Sequence, residues 1–271
     1  MASDQKRPDE LEREFPPRAK RSLGQNFLVD PNFIRKIVAA LEPTAGDRIV
    51  EIGPGRGALT ELLVESGAGV TAIELDRELA PALAERFGAS ERFRVVEGDA
   101  LEFDFRALAS GAKLKLVANL PYYVSTAILQ RLAEQHDAFG SLVLMFQREV
   151  VERITARPGT AERGFLTVIA EAHFEIEKLF DVPPQAFRPV PKIWSSVVRL
   201  VPRASASDIP SAFRGVASAA FRQPRKTILN NLKAGFADAA AALGSAGIDP
   251  RRRAESLTAD EWVALARRLD R

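Results

Sequence analysis

The sequence predicts an α/β fold, with a doubly wound, mostly parallel sheet followed by a small C-terminal all-helical domain. From Asp47 to Gln147, short apolar runs alternate with amphipathic segments, and this β-α-β order is typical of a parallel sheet with helices on both faces. After residue 204 the apolar pattern indicates helices only. We therefore predict an α/β domain over residues 18–204 and a helical domain over 205–271, preceded by a disordered or loosely attached extension over 1–17.

The first predicted helix begins at Asp30-Pro31, because aspartate is a favoured N-cap and proline fits the first helical position. The segment before it, residues 23–30, is expected to be a loop. Strands are then predicted at residues 48–52, 69–73, 93–97, 114–118 and 141–147, with helices at 58–66, 77–87, 125–134 and from about 148. A proline-punctuated loop after Pro183 leads to a strand at 196–201, an Ala/Ser-rich linker, and helices at 211–221, 226–234, 237–243 and 259–269, the last capped by Thr258.

Composition excludes several classes of function. No run of 18 apolar residues is present, so no membrane span is predicted, and the mixed charges of the first 30 residues give no reason to expect a secretory signal. The chain has no cysteine, which excludes disulfides and thiolate metal sites and fits a reducing, cytoplasmic compartment. His136 and His173 lack ligand-like spacing, so we expect no metal.

Glycines and acids stand where the predicted strands end. The first strand runs into Glu51-Ile52-Gly53-Pro54-Gly55-Arg56-Gly57, whose G-x-G-x-G spacing differs from the dinucleotide fingerprint and favours a nucleoside bound edge-on. Glu74, after the second strand, is placed to bind ribose hydroxyls, whereas Asp76 is expected to cap the next helix. Asp99, after the third strand, can accept from an adenine amine. A glycine-rich turn without a ligand is the alternative interpretation.

The segment Asn119-Leu120-Pro121-Tyr122 follows an apolar run that predicts a buried strand. Open α/β sheets bind ligands at the carboxyl ends of their strands. An amide there can accept hydrogen bonds from an amino group, and the adjacent ring can stack on a flat base. The pairing favours chemistry on the exocyclic amine of a nucleobase, with a plain Asn-containing turn as the alternative.

These motifs resemble a known family. The glycine motif with its two following acids resembles class I methyltransferases, and the Asn119–Tyr122 segment is similar to the motif of amino-directed adenine methyltransferases. Three further segments, at residues 22–28, 187–195 and 221–232, resemble those of ribosomal RNA small-subunit (16S) adenine N6,N6-dimethyltransferases. The resemblance runs from about Ala19 to the C-terminus. Ile193 replaces the usual valine of the second segment. Pro224 stands where a basic residue is expected in the third, so one RNA contact is expected to be absent or moved.

The resemblance implies a Rossmann-like methyltransferase sheet that binds S-adenosylmethionine. It implies that Asn26 and Leu28 bind the methionine end of this donor, and that Gly53 and Gly55 allow close backbone contact. It further implies that Glu74 binds the ribose, Asp99 the adenine amine, and that Asn119 faces both the donor and the target.

For the target adenine, the resemblance implies that the Asn119 side-chain oxygen and the Leu120 carbonyl accept the two N6 hydrogens. Pro121 belongs to the same catalytic motif, and Tyr122 would stack on the extruded base. Phe187 is the candidate for the other face of the base, with a core aromatic as the alternative. No general base is expected, because the methylated ammonium loses its proton to solvent.

The expected partner is small-subunit ribosomal RNA in the immature 30S particle, dimethylated at two adjacent adenosines near its 3′ end during ribosome biogenesis. Ten Lys/Arg against six Asp/Glu between residues 222 and 271 give the tail a positive balance that attracts phosphates. The candidate RNA-binding residues are Arg222, Arg225, Lys226, Arg251, Arg252 and Arg253; an ordinary solvated basic face is the alternative. We expect a monomer.

Four other functions stay open at this point. A large-subunit RNA adenine methyltransferase of the antibiotic-resistance type shares the N-terminal half and the F-x-P-x-P segment, although the Arg225-Lys226-Thr227 region favours the small subunit. An assembly factor that acts mainly by binding the ribosomal precursor is a non-enzymatic alternative. A DNA adenine methyltransferase and an NAD-dependent oxidoreductase agree less well with these motifs.

Overall fold

A seven-stranded sheet lies at the centre of the computed structural model, which describes residues 19–20 and 23–270. The predicted extension over residues 1–17 lies outside the described residues. In chain order the described strands are β1 Phe27–Leu28, β2 Arg48–Ile52, β3 Gly69–Glu74, β4 Phe93–Glu97, β5 Leu114–Asn119, β6 Phe139–Gln147, β7 Phe174–Val182, β8 Phe187–Arg188 and β9 Ser195–Pro202. The sheet order is β4-β3-β2-β5-β6-β9-β7, and β1 pairs separately with β8 in antiparallel orientation.

The helices that follow these strands complete the predicted α/β pattern. They are α1 Pro31–Leu41, α2 Ala58–Glu65, α3 Leu79–Phe87, α4 Phe105–Ala109, α5 Ser125–Glu134, α6 Arg148–Ile154, α7 Phe165–His173, α8 Phe213–Ala220, α9 Ile228–Leu232, α10 Ala239–Ser245 and α11 Ala259–Leu269. The α/β fold with a helical C-terminus is therefore confirmed. Among the described residues, no helix combines the length and apolarity needed to span a bilayer.

The parallel core of the sheet brings five strand ends to one edge. β2 lies between β3 and β5 and is parallel to both, with Ile52 opposite Ile73 on one side and Ala118 on the other. β4 runs parallel to β3 and β6 runs parallel to β5. Because parallel strands end at the same edge, the glycine motif, Glu74 and Asn119 arrive beside one another.

Local capping signals set helix boundaries as predicted. The Asp30 side chain accepts hydrogen bonds from the first turn of α1, with Pro31 in the first helical position. Thr258 and Glu261 form a reciprocal capping box at the start of α11. Both boundaries depend on residues within one turn of the helix, which is why the sequence alone locates them.

Other boundaries differ from the prediction. Helix α3 begins at Leu79, two residues later than predicted, because the Asp76 side chain accepts from the Glu78 amide at 3.0 Å and forms a turn first. Helix α9 is shorter than predicted because Thr227 caps it by accepting from the Asn230 amide. Strands β3 and β5 extend one residue further, through Glu74 and Asn119, and the predicted loop over 23–30 contains β1.

The chain divides into two compact units. The first consists of the described residues up to Ile128, Ala138–Arg148 and Leu179–Arg199, and it holds the glycine motif and Asn119. The second consists of Leu129–Asp137, Glu149–Lys178 and the chain from Leu200, with a core that includes the fully buried Trp262 ring stacked on Phe221. The predicted domain boundary at residues 204/205 stays a prediction.

Candidate active site

A cavity of about 200 Å³ lies at the carboxyl ends of β2, β3 and β5, within the first unit. It is lined by most of the predicted donor and target residues, namely Asn26, Gly53, Gly55, Glu74, Asp99, Asn119, Leu120, Pro121, Tyr122 and Phe187. Leu28 lies instead on a smaller cavity of about 40 Å³, which shares Gly53, Gly55 and Asn119 with the larger one. The structure therefore brings the predicted donor-binding and target-binding groups together around two adjoining spaces.

The glycine motif forms a tight turn between β2 and α2. Gly53 has φ +65° and Gly55 has φ +57°, both in the left-handed region that favours glycine. A Cβ at Gly55 would stand only 3.0 Å from the Phe27 ring. The turn thus needs glycine both for its backbone conformation and for the close approach of β1, and it leaves bare main chain on the cavity wall.

Glu74 is a buried carboxylate that joins the second strand end to the glycine turn. Its oxygens accept from the Gly55 amide at 3.0 Å and from the Asp76 amide at 2.9 Å. Burial raises the pKa of Glu74, although these backbone hydrogen bonds oppose the rise. A carboxylate oxygen can accept two hydrogen bonds, so Glu74 retains the capacity to accept hydrogen bonds from ribose hydroxyls.

Asp76 does more than the predicted capping of the next helix. Its buried carboxylate also accepts from Lys20 Nζ at 2.6 Å and from Gln25 Nε2 at 2.9 Å. Burial opposes its charge, but the bonds from Lys20, the Glu78 amide and Gln25 outweigh that effect and lower the pKa of Asp76. The carboxylate therefore ties the N-terminal segment to the exit of β3. Sequence reasoning missed this role because Lys20 precedes Asp76 by 56 residues.

Asp99 lies on the cavity wall after β4, where one of its oxygens accepts from the Leu101 amide at 2.9 Å. This bond orients the carboxylate at the strand end and leaves acceptor capacity for an amine. The geometry fits the predicted contact to an adenine amino group, and the contact itself stays a prediction.

Asn119 ends β5, and its amide is oriented by the N-terminal segment. The Nδ2 group donates to the backbone carbonyl of Asn26 at 3.3 Å. With its nitrogen used in this way, the side-chain oxygen is the atom that can accept from an amino group in the cavity. Leu120, the next residue, is 1% exposed and also lines the cavity.

Tyr122 and Phe187 are the two predicted stacking rings, and both line the cavity. The Tyr122 hydroxyl lies 2.9 Å from Ser195 Oγ, and burial raises the pKa of Tyr122 more than this hydrogen bond lowers it. Phe187 is 1% exposed, lies on β8 opposite Leu28, and packs in the core of the first unit. It is thus a core aromatic that also forms part of the cavity wall, and its stacking on a base stays a prediction.

Glu51 is a buried acid to which the sequence analysis assigned no role. It lies 1% exposed on β2, lines the smaller cavity, and accepts from Thr60 Oγ1 at 2.6 Å. Burial raises the pKa of Glu51 from 4.5 to about 7. Its position as the first residue of the glycine motif was the signal available in the sequence.

The predicted RNA-binding cations fall into two groups, both in the second unit. Arg222, Arg225 and Lys226 are exposed side chains, as is Pro224 between them. The run at 251–253 is instead engaged with nearby acids: Arg251 with Asp249 at 3.0 Å, Arg252 with Glu261 at 2.5 Å, and Arg253 with Glu255 at 3.9 Å. Arg252 also donates to the Ser256 carbonyl at 2.6 Å, so it stabilises the local fold.

In the part of the chain that the structure describes, no group of three or more His, Asp or Glu side chains is arranged to hold a metal ion. The two histidines, His136 and His173, lie with their ring centroids 5.2 Å apart in an edge-on contact within the second unit. The candidate site is accordingly composed of backbone amides, carboxylates, an amide and aromatic rings.

Comparisons with known proteins agree on one family. The family model for ribosomal RNA adenine dimethylases matches residues 17–271. The chain is 47% identical over 253 residues to ribosomal RNA small subunit methyltransferase A of Methylococcus capsulatus, covering 93% of this chain and 98% of that protein. It is 43% identical over 257 residues to the protein of the same name from Pseudomonas aeruginosa, covering 93% and 95%.

Two solved structures share the architecture. A dimethyladenosine transferase from Plasmodium falciparum superimposes with a TM-score of 0.76 at 24% identity, covering 88% of this chain and 95% of that one. The 23S rRNA methyltransferase ErmE superimposes with a TM-score of 0.65 at 26% identity, covering 91% and 100%. At 24% identity, the first of these two similarities is evidence for the fold alone.

Proposed function

This chain belongs to the ribosomal RNA adenine dimethylase family, and we propose that it transfers methyl groups from S-adenosylmethionine to N6 of two adjacent adenosines near the 3′ end of small-subunit ribosomal RNA. The observation that carries the proposal is the single cavity that joins the glycine turn and two strand-end carboxylates to the Asn119–Tyr122 segment. Relatives named small subunit methyltransferase A, at 42–47% identity, support the small-subunit substrate.

The cavity fits the chemistry of the donor. A nucleoside needs acceptors for its ribose hydroxyls and its amine, and Glu74 and Asp99 supply carboxylates at neighbouring strand ends. The methionine end needs close main chain, which the turn through Gly53 and Gly55 provides, beside Asn26 and Leu28. When bound, S-adenosylmethionine supplies an electrophilic methyl group on a sulfonium.

The residues around Asn119 act on the target amine. N6 of adenine is a poor nucleophile because its lone pair is delocalised into the ring. We infer that the Asn119 side-chain oxygen and the Leu120 carbonyl accept its two hydrogens and stabilise the positive charge that develops on nitrogen. The hydrogen bond from Asn119 Nδ2 to Asn26 prepares this arrangement before the substrate arrives.

Aromatic residues hold the base, and alignment supplies much of the rate. Tyr122 and Phe187 line the cavity as candidates for the two faces of an adenine that has left its stack. No general base is assigned, because the ammonium product is acidic enough to release a proton to water.

Structured RNA binds mainly through its phosphates and its shape. Arg222, Arg225 and Lys226 of the second unit are exposed and are our first candidates for phosphate contacts, whereas the engaged Arg251, Arg252 and Arg253 rank below them. We propose that the chain acts in the cytoplasm, as a monomer, on the immature 30S particle.

Methylation of purified ribosomal particles tests the proposal. Immature small subunits and large subunits are incubated separately with the protein and isotope-labelled S-adenosylmethionine, and the RNA is digested and analysed by mass spectrometry. We expect labelled N6,N6-dimethyladenosine from the small subunit only. Label confined to the large subunit would assign the chain to the antibiotic-resistance type, and no label in either would refute the proposed activity.

The variant Asn119→Ala separates an enzyme from an assembly factor that acts by binding. Asn119 contributes an acceptor within the cavity and is not part of the exposed basic segment, so we expect small-subunit binding to persist. Methyl transfer should fall by about 100-fold or more, which is the effect of losing one preorganised electrostatic contact. Equal loss of binding and transfer would contradict the role given to this side chain.

A further inference from the structure

Ser195 forms a hydrogen bond with the hydroxyl of Tyr122, whose side chain lines the cavity. Ser195 is the first residue of β9, is 1% exposed, and places its Oγ 2.9 Å from the Tyr122 hydroxyl. Tyr122 belongs to the loop between β5 and α5, so the hydrogen bond links this loop to another strand of the sheet. A buried hydroxyl requires a partner, and the Tyr122 phenol provides it.

The link restricts how the ring can move. Rotation about the Cα–Cβ bond swings the whole ring of a tyrosine, and the hydroxyl at the far end of the ring moves most. The backbone carbonyl of Tyr122 accepts a hydrogen bond from Ser125 Oγ at 3.1 Å, which holds the main-chain end of the residue. A hydrogen bond to the hydroxyl then holds the other end of the side chain, so the position of the ring is set before a base enters.

From this geometry we propose that Ser195 is a positioning residue for methyl transfer: it fixes the position in the cavity of the Tyr122 ring against which the target adenine lies. This inference rests on the function proposed above. It predicts a stronger effect on the second transfer than on the first. After one transfer the amine keeps a single N–H for the two acceptors at Asn119 and Leu120, so stacking must supply more of the orientation.

A double-mutant cycle tests the proposal. Ser195→Ala, Tyr122→Phe and the double variant are compared with the unaltered protein on immature small subunits, and monomethylated and dimethylated adenosine are quantified by mass spectrometry over time. Each single variant removes the same hydrogen bond and leaves the ring in place. We expect each to slow the second transfer by about tenfold, the effect of losing one hydrogen bond, with monomethyladenosine accumulating. The double variant should be no slower than either single variant.

Ser196→Ala is the matched control. Ser196 is equally buried, but its Oγ donates to Asp181 Oδ1 at 2.5 Å. We expect this variant to change thermal stability without monomethyladenosine accumulation. Titration with S-adenosylhomocysteine should give the same affinity for the unaltered protein, Ser195→Ala and Tyr122→Phe, because neither hydroxyl belongs to the predicted donor contacts.

Three results would overturn the inference: additive losses in the double variant, equal slowing of both transfers, or unaltered kinetics in Ser195→Ala. If Ser195→Ala does not fold, Tyr122→Phe alone decides, since it removes the same bond and leaves Ser195 in place. Failure of the inference is distinct from failure of the proposed function, because the latter appears as absence of dimethyladenosine with the unaltered protein.

Discussion

Replacing the buried acid Glu51 by glutamine should change how the stability of the protein depends on pH. Glutamine has nearly the same shape and keeps an oxygen that can accept from Thr60, but it cannot ionise. The substitution therefore removes the cost of a charge at a site that is 1% exposed, without creating a cavity. Its effect on stability should follow the titration of Glu51.

The magnitude follows from the pKa of Glu51, which burial raises from 4.5 to about 7. At about 1.4 kcal/mol per pKa unit, this difference corresponds to about 3 kcal/mol. The native state binds the Glu51 proton more tightly than the unfolded chain does, so the free-energy cost of burying the ionised carboxylate is absent below about pH 4.5. It grows as the pH rises and is complete above about pH 7. Stability contributed by Glu51 is thus lost with rising pH.

The assay is urea denaturation of the unaltered protein and Glu51→Gln at pH 5 and pH 8. We expect the free energy of unfolding of the variant, relative to the unaltered protein, to be higher at pH 8 than at pH 5 by about 2.5 kcal/mol, since part of the full change occurs below pH 5. Glu65→Gln, the same substitution at an exposed position on α2, is the control for the change of residue type. A difference between the variant and the unaltered protein that stays constant with pH would refute the reasoning.

Three further predictions concern the N-terminal segment, the glycine turn and the basic surface. Asp76→Asn weakens the hydrogen bonds from Lys20 and Gln25, so the free energy of unfolding measured by urea denaturation should fall by about 2 kcal/mol. Calorimetry should show a weaker affinity for S-adenosylhomocysteine. The control is Glu78→Gln, at the exposed partner of Lys20, which should change both quantities little. Gly55→Ala places an alanine at φ +57° with its Cβ against the Phe27 ring, so it should lower the free energy of unfolding by about 1–2 kcal/mol. A variant as stable as the unaltered protein would contradict the assigned strain. Arg225→Ala should lower the slope of log affinity for small-subunit RNA against log salt by about 1, and an unchanged slope would remove Arg225 from the interface.

Local sequence signals were sufficient for part of this fold. The parallel strands were predictable because each is a short apolar run that ends at a glycine or a polar residue. The caps at Asp30 and Thr258 were predictable because each contacts the next turn of its own helix. The same reasoning predicted that Gly53, Glu74 and Asn119 lie at one edge of the sheet, since parallel strands end together.

Elements whose partners are distant in sequence were not predicted. β1 and β8 are two-residue strands that exist because they pair with each other, although about 160 residues separate Phe27 from Arg188. β7 was missed although Phe174–Glu177 alternates apolar and charged residues, which is the pattern of a half-buried strand, so this signal was available in the sequence. The hydrogen bond between Tyr122 and Ser195 spans 73 residues, so the two motifs could be identified from the sequence but their contact could not.

The electrostatics of the site show why position along the chain was not enough to predict the direction in which the pKa of each acid shifts. Glu51, Glu74 and Asp76 lie within two neighbouring strand ends, and all three are buried, yet burial raises the pKa of the first two while the pKa of Asp76 is lowered. The difference is the N-terminal segment, which brings the Lys20 cation and Gln25 to Asp76.

The same segment places the Asn26 carbonyl on the amide of Asn119. Strand ends therefore supply the groups that are proposed to bind the donor and the target amine. The N-terminal segment sets the charge of one of those groups and the orientation of another. A change that detaches it at Asp76 should consequently disturb the donor side first, through Gln25 and Asn26, and the target side through Asn119, with the sheet itself intact.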